Sequence, residues 1–412
     1  MRAARWLMSS ASAGALLAAG AGHAANPAFQ TYFFSVCGAP TTGALATRCS
    51  QTPGGLGNLS GDSESSMNPS QGLGRNQMTL AAAQAHGHDA RERNDALTRG
   101  GESVEVEAGP FSLMAHANGG SFERTASTAT GDLERAYDGD ERSLEFGFDY
   151  RASAATVLGL IAGARRADYD YVAENPGVNF APQANAGGAD IDTYYLTGFA
   201  SFGLGSNGFI ELSGGFDTSS QELRRNPIFQ ESTRTQAQVN GVLRADADGD
   251  TTWASLNGGF DFGGGGWSAG LYAGATWTKS DLDAYTERDP NATGLAMHFD
   301  STSRDSLLGH AGARVAYTFN TAHGVVVPQL RVEYQHEFEN DIDSVATNFV
   351  LDPDATLFSV AGAEHDDSAL EAGFGISAVF NNGWQPFLNV DVLTGNDDFE
   401  RTRITLGVRV EL

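Results

Sequence analysis

The sequence predicts an all-β fold, a twelve-stranded antiparallel transmembrane β-barrel with an N-terminal α-helix in its lumen. Three observations lead there. The chain opens with an export signal. Residues 102–412 break into twelve segments of two-residue polarity, joined by alternating short and long connections. The final segment, "RTRITLGVRVEL", sets Ile404, Leu406, Val408, Val410 and Leu412 against Arg401, Arg403, Arg409 and Glu411 on the opposite parity.

The first element is the signal, expected over residues 1–24. "MRAARW" supplies two arginines, "LMSSASAGALLAAGAG" a short apolar run, and Gly22 and Ala24 the small residues at which cleavage is expected. No other apolar run approaches the roughly 18–20 residues that a spanning helix needs. The chain of 412 residues carries a net charge of -26, which argues against nucleic acid as a partner.

Residues 25–74 follow as a short exported or linker segment, expected to be weakly structured because "TPGGLGNLSGDSESSMNPSQGLG" is rich in Gly, Ser, Asn and Pro. The two cysteines of the chain, Cys37 and Cys49, lie here. In an oxidising compartment so close a pair is expected to form a disulfide, and a metal pair would want a neighbouring histidine. Gly61-Asp62-Ser63 is similar to the nucleophile block of GDSL esterases. A serine hydrolase also needs a base and an oxyanion site. His86 and Asp89 fall downstream in the wrong order, so a linker is the expected role and no enzyme is expected.

Residues 75–101 form the next element. "RNQMTLAAAQAHGHDARERNDALTR" predicts one helix over 75–99, stopped by the glycines at 100–101. It has no broad stripe of large apolar side chains, so it suits a polar surround.

The barrel strands are expected near 109–124, 139–152, 154–171, 189–204, 207–224, 249–263, 266–284, 303–320, 323–340, 367–381, 383–396 and 399–412. In "ERSLEFGFDYR", Leu144, Phe146, Phe148 and Tyr150 oppose Glu145, Asp149 and Arg151. In "VVVPQLRVEYQHEF", Leu330, Val332 and Tyr334 oppose Arg331 and Glu333. Alternation alone does not say which parity faces in. Size does: twelve strands enclose a lumen too wide for apolar side chains to fill, so the polar parity is expected inside. Glu145, Asp149, Arg331, Glu333, Arg403 and Arg409 are then lumen-facing charges. "DADGD" at 246–250, expected in a long loop, could hold calcium only loosely, because its glycine falls fourth where a calcium loop places it sixth. No cofactor or metal is expected.

Residues 75–412 resemble the translocator unit of autotransporters, a pore-threading helix followed by a twelve-stranded barrel. "VVVPQLRVEYQHEF", "ALEAGFGISAVFNNGWQPFLNVDV" and "TLGVRVEL" carry the resemblance. The last also resembles the outer-membrane assembly signal, with Thr405, Gly407, Val410 and Leu412 in its places; the family usually ends in an aromatic. The resemblance implies a monomer in the outer membrane, with lipid, lipopolysaccharide and the barrel assembly machinery as partners. It also implies transport of the chain's own N-terminal segment to the cell surface. A plugged channel or porin is the alternative.

Overall fold

The computed structural model of the protein describes residues 27–75, 78, 109–125, 135–173, 181–339, 344–362 and 366–412. The signal and nearly all of the helix expected over 75–99 lie outside them. Residues 71–75 and Met78 are helical.

Twelve strands close into one antiparallel barrel. They are β1 Phe111–Arg124, β2 Tyr137–Ser153, β3 Thr156–Tyr171, β4 Gly187–Leu204, β5 Gly208–Arg225 and β6 Leu243–Gly264. The ring continues with β7 Trp267–Leu282, β8 Thr302–Tyr317, β9 Gly324–Glu337, β10 Ser368–Phe380, β11 Trp384–Thr394 and β12 Phe399–Glu411. Each pairs with its sequence neighbour. β12 closes the ring on β1, from Ser112↔Glu411 to Arg124↔Phe399. The tight turns gather at one end, where glycines supply the left-handed backbone, as at Gly205 (φ 65) and Gly383 (φ 82). The ring's own ends meet there too: the Leu412 amide donates to the Phe111 carbonyl at 2.9 Å. The long loops crown the opposite end.

Side chains alternate as the pleat requires. On β2, Leu144, Phe146, Phe148 and Tyr150 face outward and are exposed, whereas Glu145 and Asp149 face the lumen and are buried. Inward glycines receive aromatic rings from the next strand. A Cβ at Gly163 would lie 2.3 Å from the Tyr195 ring, and one at Gly407 would lie 2.3 Å from Phe387 and 2.6 Å from the His116 Cβ.

Two expectations are corrected. β6 begins at Leu243, not near 249, so "DADGD" lies within a strand. Asp246, Asp248 and Asp250 point outward while Ala245, Ala247 and Gly249 point in, so this stretch is not a calcium-binding loop. The segment 25–74 is not weakly structured either. It forms α1 (Pro27–Gly38), α2 (Gly43–Gln51), a 3-10 turn (Pro53–Gly55) and α3 (Gly61–Met67). The reason is tertiary. Phe29, Tyr32, Phe33 and Val36 fall on one helix face at i, i+3, i+4 and i+7, and the outer loops cover that face.

Gly407→Ala is expected to overpack the joint under Phe387 and cost about 1–3 kcal/mol. It should lower the temperature at which the folded, fast-migrating gel form is lost. Gly407→Ala with Phe387→Leu should recover much of that loss; no recovery would mean that the ring contact is not the cause.

Candidate functional site: the outer mouth and its lid

Helices α1–α3 sit across the long-loop mouth of the barrel as a lid. Inside the lid, the Cys37–Cys49 disulfide joins α1 to α2, with a Cα–Cα distance of 5.3 Å. A strap then crosses back over it. The Thr52 hydroxyl donates to the Cys49 carbonyl at 2.6 Å and accepts the Gly57 amide at 2.7 Å. The Gln30 side-chain amide donates to the Gly57 carbonyl at 2.9 Å, and its oxygen accepts the Leu59 amide at 2.8 Å.

The lid's apolar face is completed by loops. Tyr32 stacks on Phe349 and Phe358, with centroids 5.8 and 5.0 Å away, and Phe33 meets Phe349 at 5.7 Å and Phe229 at 6.3 Å. Phe349 and Phe358 belong to a four-stranded sheet built by two outer loops from Tyr285–Thr286, Met297–Phe299, Ser344–Phe349 and Phe358–Ala361. Residue Gly294 lets α2 approach: a Cβ there would stand 2.5 Å from the Ala44 carbonyl carbon and the Leu45 nitrogen.

A clasp of polar groups fixes α3 to the loop after β5. The Ser63 hydroxyl donates to the Ile228 carbonyl at 2.7 Å and accepts the Gln230 amide at 3.0 Å. Ser66 accepts the Ile228 amide at 2.9 Å, and Arg234 pairs with Asp62 at 2.9 Å. Ser63 is fully buried and its hydroxyl is spent on backbone groups. This arrangement fits a clasp and does not fit a nucleophile; His86 and Asp89 lie outside the described residues. Glu231 anchors the loop. Burial pushes its carboxyl up, but hydrogen bonds from Thr233, Gln236, Thr235 and Arg234 outweigh that and hold it at about 2.

Beneath the lid, the barrel interior changes chemistry. At the outer ends of the strands Phe122, Tyr137, Tyr169, Tyr171, Leu223 and Leu243 point inward as a collar, with Arg124, Gln221 and Arg225 buried among them. The collar, the lid and the loops share one core. This corrects the expectation of a uniformly wet lumen. On the outside of the same strand ends stand Asp138, Asp140, Asp168 and Asp170, so the wall rises beyond its apolar band. Each large side chain in such a collar gains roughly 1.5–3 kcal/mol from full burial.

Arg225, at the end of β5, ties collar, lid and loop together. Its guanidinium makes two bonds of 2.7 Å to the Glu287 carboxylate and donates to the Leu295 carbonyl at 2.8 Å and, longer, to Met67 at 3.4 Å. The Glu287 carboxylate also accepts the Met297 amide at 2.9 Å. Where the chain turns down into the lumen, Arg75 donates to Gln221 at 2.8 Å and lies 4.7 Å over the Tyr285 ring. Met78 lines a cavity of about 10 Å³, and Gln71 and Arg75 line one of about 20 Å³, room for a single water each.

From mid-barrel to the short-turn end, the lumen also carries paired charges. Arg331 bonds Glu371 at 2.7 Å and Asp391 at 2.8 Å, with Glu333 at 3.9 Å. Arg409 lies 3.7 Å from Asp149 and donates to Ser112 at 2.9 Å. Glu145 meets His116 at 3.1 Å, and Arg403 is buried on the same inner face. In the last strand, Thr405 faces in, Gly407 lies under Phe387, Val410 pairs with Leu113 and Trp384, and Leu412 is exposed.

A closed barrel, apolar outside and entered by the chain that precedes it, belongs to the class of outer-membrane translocator barrels. The autotransporter β-domain profile matches residues 117–391, more than half of the chain, and the chain belongs to that family. Its fold is similar to the translocator domain of autotransporter NalP from Neisseria meningitidis, with TM-score 0.59 and 15% identity, covering 82% of this chain and 98% of that one. The β-domain of the Bordetella autotransporter BrkA matches at TM-score 0.48 and 17% identity, covering 73% of this chain and 100% of that one. No curated protein matches the sequence.

Removing one partner of a buried, satisfied ion pair costs about 3–5 kcal/mol. Glu287→Ala should therefore loosen the lid, read as faster proteolysis within 27–67 while the barrel stays resistant. For Glu231 the folded value is depressed from its ordinary 4.5. Its contribution is present above that pH and is lost as pH falls towards about 2. Lid protection should fall over that window, and Glu231→Gln should flatten the fall; an unchanged profile in the variant would remove Glu231 as the cause.

Proposed function

We propose that this barrel carries its own residues 27–67 across the outer membrane and holds them, still attached, at the cell surface. The observation that supports this reading is the path of the chain. The lid lies at the long-loop end, Arg75 and Met78 lie inside the barrel, and β1 begins at the short-turn end. A segment on the far side of a closed ring, whose chain is inside the lumen at Met78 and reaches the ring's other end at Phe111, has to pass through that ring or be enclosed as it closes.

The work of the barrel is passage and retention, with no bond made or broken. Lipid and lipopolysaccharide surround its apolar belt, the assembly machinery reads Thr405, Gly407, Val410 and Leu412, and the protein acts as a monomer without nucleic acid. The compact lid makes protease a poor probe of its position. An epitope inserted in the exposed link between α1 and α2, at Pro40, should be reached by antibody on intact cells. Labelling only after permeabilisation would overturn the export reading and leave a plugged channel.

A further inference from the structure

We propose that the outer wall of β2–β4 is a binding site for lipopolysaccharide, with Arg142 and Arg166 holding a phosphate and a furrow over Ala162 and Ala164 holding an acyl chain.

The furrow comes from side-chain size. On the lipid side of β3, Ala164 and Ala162 follow one another down the strand, both exposed. In register beside them stand Leu144 and Phe146 on β2 and Tyr194 and Leu196 on β4. These four large side chains are between 49% and 65% exposed, so they stand out as two ridges. The ridges are two strand spacings apart, about 9–10 Å. A floor of methyl groups between them leaves the width of a hydrocarbon chain.

The charge stands directly above the furrow. Arg142 and Arg166 are the next outward residues up on β2 and β3, and they face each other across the strand pair. Like charges in that position repel, and an anion between them removes the cost. Arg166 reaches Asp190 at 3.4 Å and Asp192 at 3.9 Å, contacts that are weak at a surface. Both guanidiniums therefore keep donors for a phosphate. One row higher, Asp140, Asp168 and Asp190 lie in register and repel a second phosphate. The wall thus accepts phosphate at one height, immediately above hydrocarbon. A lipid that carries phosphate on the sugar bearing its acyl chains has that layout, and the long-loop end faces the leaflet that holds it.

The inference rests on the outward direction of the long loops, which the export reading also requires, and the experiment separates the two. Full-length protein in nonionic detergent is titrated with bisphosphorylated lipid A, with lipid A stripped of phosphate and with phosphatidylglycerol. The Pro40 epitope is probed on cells. Arg142→Gln with Arg166→Gln should weaken lipid A binding about tenfold or more. Ala164→Phe, which fills the furrow and leaves the charges, should weaken it as well. Arg224→Gln with Arg244→Gln should bind like the parent, because that in-register pair stands over Glu222 and Asp246, with no apolar furrow beneath it. Equal loss in the two arginine pairs, no effect of Ala164→Phe, or equal binding of the dephosphorylated lipid would overturn the site. Equal binding of phosphatidylglycerol would overturn its assignment to lipopolysaccharide. Either result with the epitope reached on intact cells removes this inference alone. A hidden epitope with lipid A bound as expected removes the export reading and leaves the site standing.

Discussion

The closure of β12 onto β1 is the constraint on which the rest of the structure depends. Hydrocarbon offers backbone groups no partner, so a sheet survives there only as a ring without edges. Thirteen register pairs from Ser112↔Glu411 to Arg124↔Phe399 remove the last edge. Closure also fixes which parity meets lipid. A single Arg turned outward at mid-membrane would cost roughly 2–4 kcal/mol, so Arg403 and Arg409 have one acceptable side.

Closure creates a second problem, since a ring this wide has an interior that its own strands cannot fill. The protein solves it differently at its two ends. At mid-barrel and on towards the tight turns, it sets paired charges around Arg331 and Arg409. Near the loops, the lumen is a hydrophobic core shared with α1–α3, held by one buried, fully satisfied ion pair, Arg225–Glu287. The lid therefore belongs to the barrel's packing. Its aromatic residues have no core of their own until Phe229, Phe349 and Phe358 meet them.

Most of the ring was legible because strand alternation is a local signal with a strict period. All twelve strands fall within a few residues of their expected places; β6 is the main departure, because three aspartates in eight residues look like a loop when they are one face of a strand. The lid was not legible as structure. Its glycines and prolines are local and conspicuous, whereas the spacing of Phe29, Tyr32, Phe33 and Val36 gains meaning only once the loops are in place. That spacing was the available signal. The collar was hidden for another reason. Tyr137 lies on the same parity as Glu145 and Asp149, and parity gives direction without saying whether water is there.

The entry of the chain into the ring at Arg75 and Met78 has a mechanical consequence if the proposed passage holds. A disulfide-tied knob stands at one opening of a rigid hoop, and the hoop's first strand is fastened at the other. Thread, knob and hoop are one covalent molecule, in the manner of an axle held by a stopper. Pulling from the knob's side loads the β1–β12 seam, whereas pulling from the seam's side jams the knob against the rim. Under the proposed export, detachment would require cutting the chain or unravelling the knob, whatever the lid's affinity for the mouth.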